Sequence, residues 1–164
     1  MAARIVLERT RACPDLRHAL LQLWGVSRIR NDRPARSADG LQPALQLLRR
    51  GETLAIVVDQ NMRPARGIFV DFFGAKACTT PAAAVLALRS GAPLLAAFPV
   101  REPDGTHRVL VEGPFTPPAG ARGHAAVEAL TQEVTRAVER AVRSHPDHWL
   151  WPHRRWKTRP PCPA

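Results

Sequence analysis

The chain has 164 residues, 45% of them apolar and 23% charged, which fits one folded domain over residues 1–164 and excludes disorder for most of its length. Its 24 Lys and Arg against 14 Asp and Glu leave a formal charge of +10, so an anionic partner is expected: nucleic acid, an acidic membrane face or an acidic carrier. Charge alone does not choose among the three.

Taken in chain order, the apolar run Arg4 to Leu7 reads as a strand. Pro14 suits the first position of a helix whose apolar face is Leu16, Ala19, Leu20, Leu23 and Trp24, with Gly25 at its stop. The basic, unperiodic stretch from Ser27 to Asp39 reads as loop or irregular strand. Ser37 or Asp39 caps a second helix carrying Leu41, Ala44, Leu45 and Leu48, with Pro43 tolerated in its first turn and Gly51 at its end.

The run Thr53 to Val58 is apolar on both parities, the pattern of a central strand covered on both faces. Ile68 to Phe73, closed by Gly74, is a second extended run. Thr80 and Pro81 start a third helix that passes through Val85, Leu86 and Leu88 to Gly91. Two further strands, Leu94 to Val100 and His107 to Glu112, flank the turn Pro103-Asp104-Gly105. A long final helix puts Val127, Leu130, Val134, Val138 and Ala141 on one face and ends before Pro146. Strands alternating with helices predict an α/β fold with a mainly parallel sheet flanked by helices.

Cys13, Cys78 and Cys162 are odd in number and widely spaced, with no C-x-x-C and no histidine at ligand spacing. Neither a disulfide framework nor a zinc site is indicated, and no cofactor is called for. No run reaches the ~20 apolar residues of a membrane span, and the first residues lack the apolar stretch of a signal peptide. As written, the chain is expected neither to cross a membrane nor to be exported. Only Lys76 and Lys157 are lysines, and arginine is suited to bidentate carboxylate and phosphate contacts. Coding bias explains the same count, since Ala and Pro are also abundant.

Three segments carry candidate chemistry. Asp59-Gln60-Asn61 ends the most apolar strand, and in an open parallel sheet ligands bind outside the carboxyl ends of the strands. A turn-capping role for Asp59 is the alternative. Arg66 to Gly74 is aromatic on both faces and bordered by Arg63, Arg66 and Lys76; it reads either as an acyl-chain groove with a basic rim or as a buried hairpin. The tail from His145 to Arg159 holds three of the four tryptophans among dense cations, the composition of a membrane-interface or phosphate-binding surface. Tryptophans packed on the core beside solvated arginines explain it as well.

Together, DQN-x(5)-GIFVDFFG-x-x-A-x-T-x-x-A, ALRSGAPLLAAFPVREPDG and HPDHWLWPHRRWKTRP resemble the C-terminal part of the lipid A biosynthesis late (lauroyl/myristoyl) acyltransferases, within the lysophospholipid acyltransferase superfamily. The resemblance runs from about Arg4 to Pro160. It implies a truncated glycerolipid-acyltransferase-like fold without cofactor or metal. It also implies transfer of a fatty acyl group from acyl carrier protein to a hydroxyl of a phosphorylated glycolipid, at the cytoplasmic face of the inner membrane, with the chain peripheral as written.

Carried over by residue, Arg9, Asp59, Gln60, Arg66, Phe72, Phe73, Gly74 and Thr79 match substrate-binding positions. His153, Arg154, Arg155, Lys157 and Arg159 match the basic tail that meets phosphates or an anionic membrane. Asp71 stands where the family has an apolar residue or proline, and the proline usual beside Arg9 is absent. Family members carry a membrane-anchoring helix and a His-x-x-x-x-Asp/Glu general-base dyad upstream of the matched part. No residue of this chain is assigned a catalytic role, and the chain alone is expected to be inactive. His107 and Glu112 spell the dyad spacing, but an odd separation on a strand puts them on opposite faces. A non-catalytic glycolipid- or membrane-binding remnant is the competing reading. A nucleic-acid-binding domain is a remote one, since no helix is basic along one face and no RNA-stacking motif appears.

Overall fold

A computed structural model describes residues 4–7 and 41–161. The helix expected from Pro14 to Gly25, the Ser27 to Asp39 stretch, Arg9, Cys13 and Cys162 lie outside these residues. The described elements are β1 (Arg4–Leu7), α1 (Leu41–Arg49), β2 (Leu54–Val57), a 3-10 turn (Pro64–Arg66), β3 (Ile68–Phe72), β4 (Ala75–Thr79), α2 (Ala82–Ser90), β5 (Leu94–Arg101), β6 (His107–Phe115), α3 (Gly123–Ser144) and a second 3-10 turn (Pro146–His148). The expected mixture of helices and strands is present.

The direction of the strands differs from expectation. Among the described residues the strands form one sheet in the order β2-β1-β5-β6 and a separate β3-β4 hairpin, and every pairing is antiparallel. Connection length explains two of the pairings, because a parallel pair needs a crossover of a dozen or more residues. β5 and β6 are joined by a five-residue turn in which the Asp104 carboxylate accepts the Thr106 N–H (2.9 Å) and hydroxyl (2.7 Å). β3 and β4 are joined by Phe73 and Gly74 alone, with φ of 52° and 74°. Positive φ at both central residues is what a two-residue hairpin of primed type requires, and glycine adopts it without strain.

Among the described residues the Thr53 to Val58 run is likewise not central. β2 lies at one end of the described sheet, paired to β1 from Leu54↔Leu7 to Val57↔Arg4, and Val57 is 41% exposed. Apolar residues on both parities report cover on the two faces, not the number of hydrogen-bonded neighbours.

The core lies between the main sheet, the hairpin and the helices. Leu45 and Leu48 of α1 meet Ala83, Ala84 and Leu86 of α2, Leu94, Ala96 and Phe98 of β5, and Leu130, Val134, Val138 and Val142 of α3. On α3 the buried stripe includes Ala126 and Ala137, with Val127 at its margin. The same helix holds the hairpin by its polar side chains. Gln132 exchanges two hydrogen bonds with the Asp71 backbone, and Glu139 accepts the Phe73 N–H (2.9 Å).

Candidate functional site

Beyond β2 the chain passes from buried Val58 to half-buried Asp59, exposed Gln60 and half-buried Asn61. The Met62 N–H then donates to Cys78 O (3.0 Å), which lays this loop beside β4. The C-terminal tail fastens it from the other side. Asn61 Nδ2 donates to Thr158 Oγ1 (3.0 Å), the Thr158 N–H donates to Asn61 Oδ1 (3.0 Å), and Thr158 Oγ1 donates to Met62 O (2.8 Å).

Arg155, in the middle of the tail, is 2% exposed. Its Nη1 donates to Cys78 O (3.0 Å), its Nη2 to Thr79 Oγ1 (2.5 Å), and its guanidinium lies 5.4 Å from the centre of the Phe72 ring. Burial pushes its pKa down to about 10, while the charge of Asp59 and, to a smaller extent, Cys78 pull it back. Burial pushes the Cys78 thiol up, against the nearby Arg155 charge. Around this guanidinium, Phe72 stacks on Trp156 (5.5 Å between centroids) and packs tilted against buried Trp149 (5.8 Å). Trp156 Nε1 donates to Phe72 O (3.3 Å).

Segments far apart in the chain therefore meet. Asp59, Phe72, Thr79 and Arg155 share one neighbourhood, in which the charge of half-buried Asp59 acts on the buried guanidinium. A carboxylate at a partly exposed loop is a charged hydrogen-bond acceptor of the kind a hydroxyl can bind. In an antiparallel arrangement the end of β2 is not a switch point of a parallel sheet, and the tail's contacts with the 59–62 loop locate the site instead.

The remaining sequence-derived candidates divide. Phe72 is 1% exposed and belongs to the core; Phe73 and Gly74 form the hairpin turn, with Arg143 4.7 Å above the Phe73 ring. The Arg66 to Gly74 stretch thus leads into and forms the first strand and turn of the hairpin, with Val70 and Phe72 buried. Asp71, the departure from the family pattern, is exposed and pairs with Lys76 directly across the hairpin (2.9 Å). Arg66 is exposed at the end of the first 3-10 turn.

Arg154, Lys157 and Arg159 are exposed and form no ion pair among the described residues, whereas Arg155 faces inward. His153 is half-buried, and its Nε2 has no hydrogen-bond partner. A cavity of about 10 Å³ beside Thr79, lined also by Val58, Ala83, Ala84, Thr131 and Thr135, holds one water at most and no acyl chain.

His107 is exposed at the start of β6, and Glu112 holds Arg140 of α3 (2.5 Å). Strand alternation keeps the two on opposite faces, as expected. A second histidine–acid pair, His148 Nδ1 with Asp147 Oδ1 (3.1 Å), is engaged in structure: the Arg101 N–H donates to His148 Nε2 (3.0 Å). Among the described residues no three His, Cys, Asp or Glu side chains group to hold a metal ion, and no helix is long and apolar enough to cross a membrane.

The residues missed by sequence reasoning are Thr158, which binds Asn61 and Met62, and the α3 pair Gln132 and Glu139. Polar residues at such positions carry no signal of their own, because the partners that matter for the loop and the hairpin lie more than sixty residues away.

Residues 17–158 match the family model described as bacterial lipid A biosynthesis acyltransferase. The chain is 31% identical over 141 residues to the lipid A biosynthesis lauroyltransferase of Escherichia coli (strain K12), covering 85% of this chain and 44% of that protein. It is 31% identical over 124 residues to the lipid A biosynthesis myristoyltransferase of the same organism, covering 75% and 37%. With lipid A biosynthesis acyltransferase 2 of Shigella flexneri it shares 30% over 122 residues, covering 74% and 38%. The chain spans less than half the length of these relatives. A match over most of its residues, including the 59–62 loop, the β3-β4 hairpin and the tail that holds them together, shows that the chain belongs to the bacterial lipid A biosynthesis acyltransferase family.

Proposed function

We propose that this chain supplies the acceptor-binding side of an acyltransferase that moves a fatty acyl group from an acyl carrier protein thioester to a hydroxyl of a phosphorylated glycolipid. In that reaction the acceptor oxygen attacks the thioester carbonyl, the carbon–sulfur bond breaks, and the hydroxyl proton passes to a base. The observation that carries the reading is the convergence of Asp59 with the buried Arg155 and the tail. Asp59 accepts a hydrogen bond from an acceptor hydroxyl and Gln60 stands exposed beside it, with the positive charge of Arg155 in the core nearby. The exposed Arg66, Arg154, Lys157 and Arg159 offer cations to phosphates of the glycolipid and of an anionic membrane at the cytoplasmic face.

The test is Asp59→Asn in the protein expressed with every residue its gene encodes. Transfer to a phosphorylated glycolipid is expected to fall at least tenfold, about 1.4 kcal/mol of transition-state stabilisation, with little change in melting temperature. Activity near that of the parent, or parallel loss of activity and stability, assigns Asp59 to structure and overturns the reading. The same bond between loop and tail also favours a binding role without chemistry. That second reading holds if the complete protein binds the glycolipid through Asp59 and transfers nothing.

A further inference from the structure

The tail does not present its tryptophans alike. Trp149 is 6% exposed and Trp156 is half-buried on Phe72, whereas the neighbouring Leu150 and Trp151 are 66% and 56% exposed. They are the most exposed large apolar residues among those described. The tip that bears them is stiff. The Trp151 N–H donates to Trp149 O (3.0 Å), the His153 N–H to Leu150 O (3.0 Å), and the Trp151 indole N–H to Pro146 O (2.8 Å). With its only polar atom satisfied inside the tip, Trp151 displays an apolar indole that needs no water partner.

We infer that Leu150 and Trp151 form an insertion tip that enters the interface of an anionic bilayer while Arg154, Lys157 and Arg159 meet the headgroup phosphates. The inference rests on the membrane-facing part of the proposed function and names the element that makes contact. Charge complementarity selects the occupant. In the segment from His145 to Pro161 the exposed charges are these three cations, which form no ion pair among the described residues, and Asp147, which lies against His148. Adjacent exposed Leu and Trp next to cations suit the depth at which indole and phosphate meet water. Arg155 takes no part. Its guanidinium, with Trp149 and Trp156, roots the tip in the core.

The test is sedimentation of the full chain with vesicles of phosphatidylethanolamine with and without phosphatidylglycerol, free of glycolipid. Binding is expected only with phosphatidylglycerol and is expected to weaken at least tenfold between low and high salt. Leu150→Ser with Trp151→Ser is expected to lower partition at least tenfold at unchanged melting temperature. Trp151→Phe, which keeps the apolar surface, is expected to bind like the parent. Arg154→Glu with Lys157→Glu abolishes the preference for phosphatidylglycerol. Parental binding by the serine variant overturns the inference. So does a serine variant that changes self-association and leaves vesicle binding intact, because the tip then joins two copies of the chain. Either failure leaves the acyl-transfer reading standing, since that reading is tested through Asp59 and a glycolipid acceptor.

Discussion

Arg155 takes a guanidinium into a place where 2% of its surface meets solvent, and burying a charge is unfavourable unless it is paired and hydrogen-bonded. Cys78 O, Thr79 Oγ1, the Phe72 ring and the charge of Asp59 offset that cost together. Arg155→Met keeps much of the volume and removes the charge, so it costs about 1–3 kcal/mol in urea unfolding, chiefly through Asp59 and the lost hydrogen bonds. Cys78 O keeps the Met62 N–H and Thr79 still donates to Ala77 O, which limits the damage. Exposed Arg154→Met is expected to stay within about 0.5 kcal/mol of the parent; equal effects at the two positions would show that the inward contacts of Arg155 contribute nothing. Glu139 answers to pH. Burial pushes its pKa up, but the Phe73 N–H and Arg143 outweigh burial, and the net direction is down. A carboxylate lowered in the folded state adds stability above the ordinary glutamate range and loses it as pH falls through the folded value. Melting temperature from about pH 5 down to about pH 3 should therefore fall more steeply in the parent than in Glu139→Gln.

The β3-β4 hairpin depends on one close approach. A Cβ on Gly67 would lie 2.6 Å from Cys78 Sγ and 2.8 Å from Met62 Cβ, although its extended φ of −132° suits any residue. Gly67→Ala is thus a packing change, expected to cost about 1–3 kcal/mol. Cys78→Ala removes one of the two clashes, so the double variant should be more stable than the sum of the single effects by at least about 0.5 kcal/mol. Additive effects would place the cost elsewhere. At this scale the sequence is only partly legible. The three described helices and the strands other than β4 follow from periodicity and turn residues, whereas Ala75 to Thr79 carries no separate strand signal. Pairing direction does not, because the alternation of strand and helix signals also fits an antiparallel sheet. The Phe73-Gly74 turn was hidden by a phenylalanine at positive φ, held there by Glu139, Arg143 and the Phe72 ring edge (4.7 Å). The site was legible as separate pieces, Asp59-Gln60-Asn61 and the basic tail. That Thr158 binds Asn61 across 97 residues, and that one arginine of four cations turns inward, are results of packing.

Over the whole molecule the tail is part of the core, although its composition reads as a surface. Trp149 belongs to the main buried cluster, and Trp156 packs against it. A tryptophan that buries roughly 150–250 Å² contributes up to about 4–6 kcal/mol by area. Domains of this size are stable by only about 5–15 kcal/mol in all. Removing every residue from Trp149 onward takes away Trp149, Trp156, Arg155 and the Asn61–Thr158 bonds together, and uncovers Phe72 at the base of the hairpin. The chain ending at His148 is therefore expected to lose its cooperative thermal transition and near-ultraviolet dichroism and to bind a hydrophobic dye, while keeping helical signal from α1 to α3. The surface variant Leu150→Ser with Trp151→Ser is expected to melt within a few degrees of the parent, since both side chains are more than half exposed and the Trp151–Pro146 bond is local to the tip. A shortened chain that melts within a few degrees of the parent would make the tail an appendage, and the packing of Phe72 against Trp149 and Trp156 would then contribute little to folding.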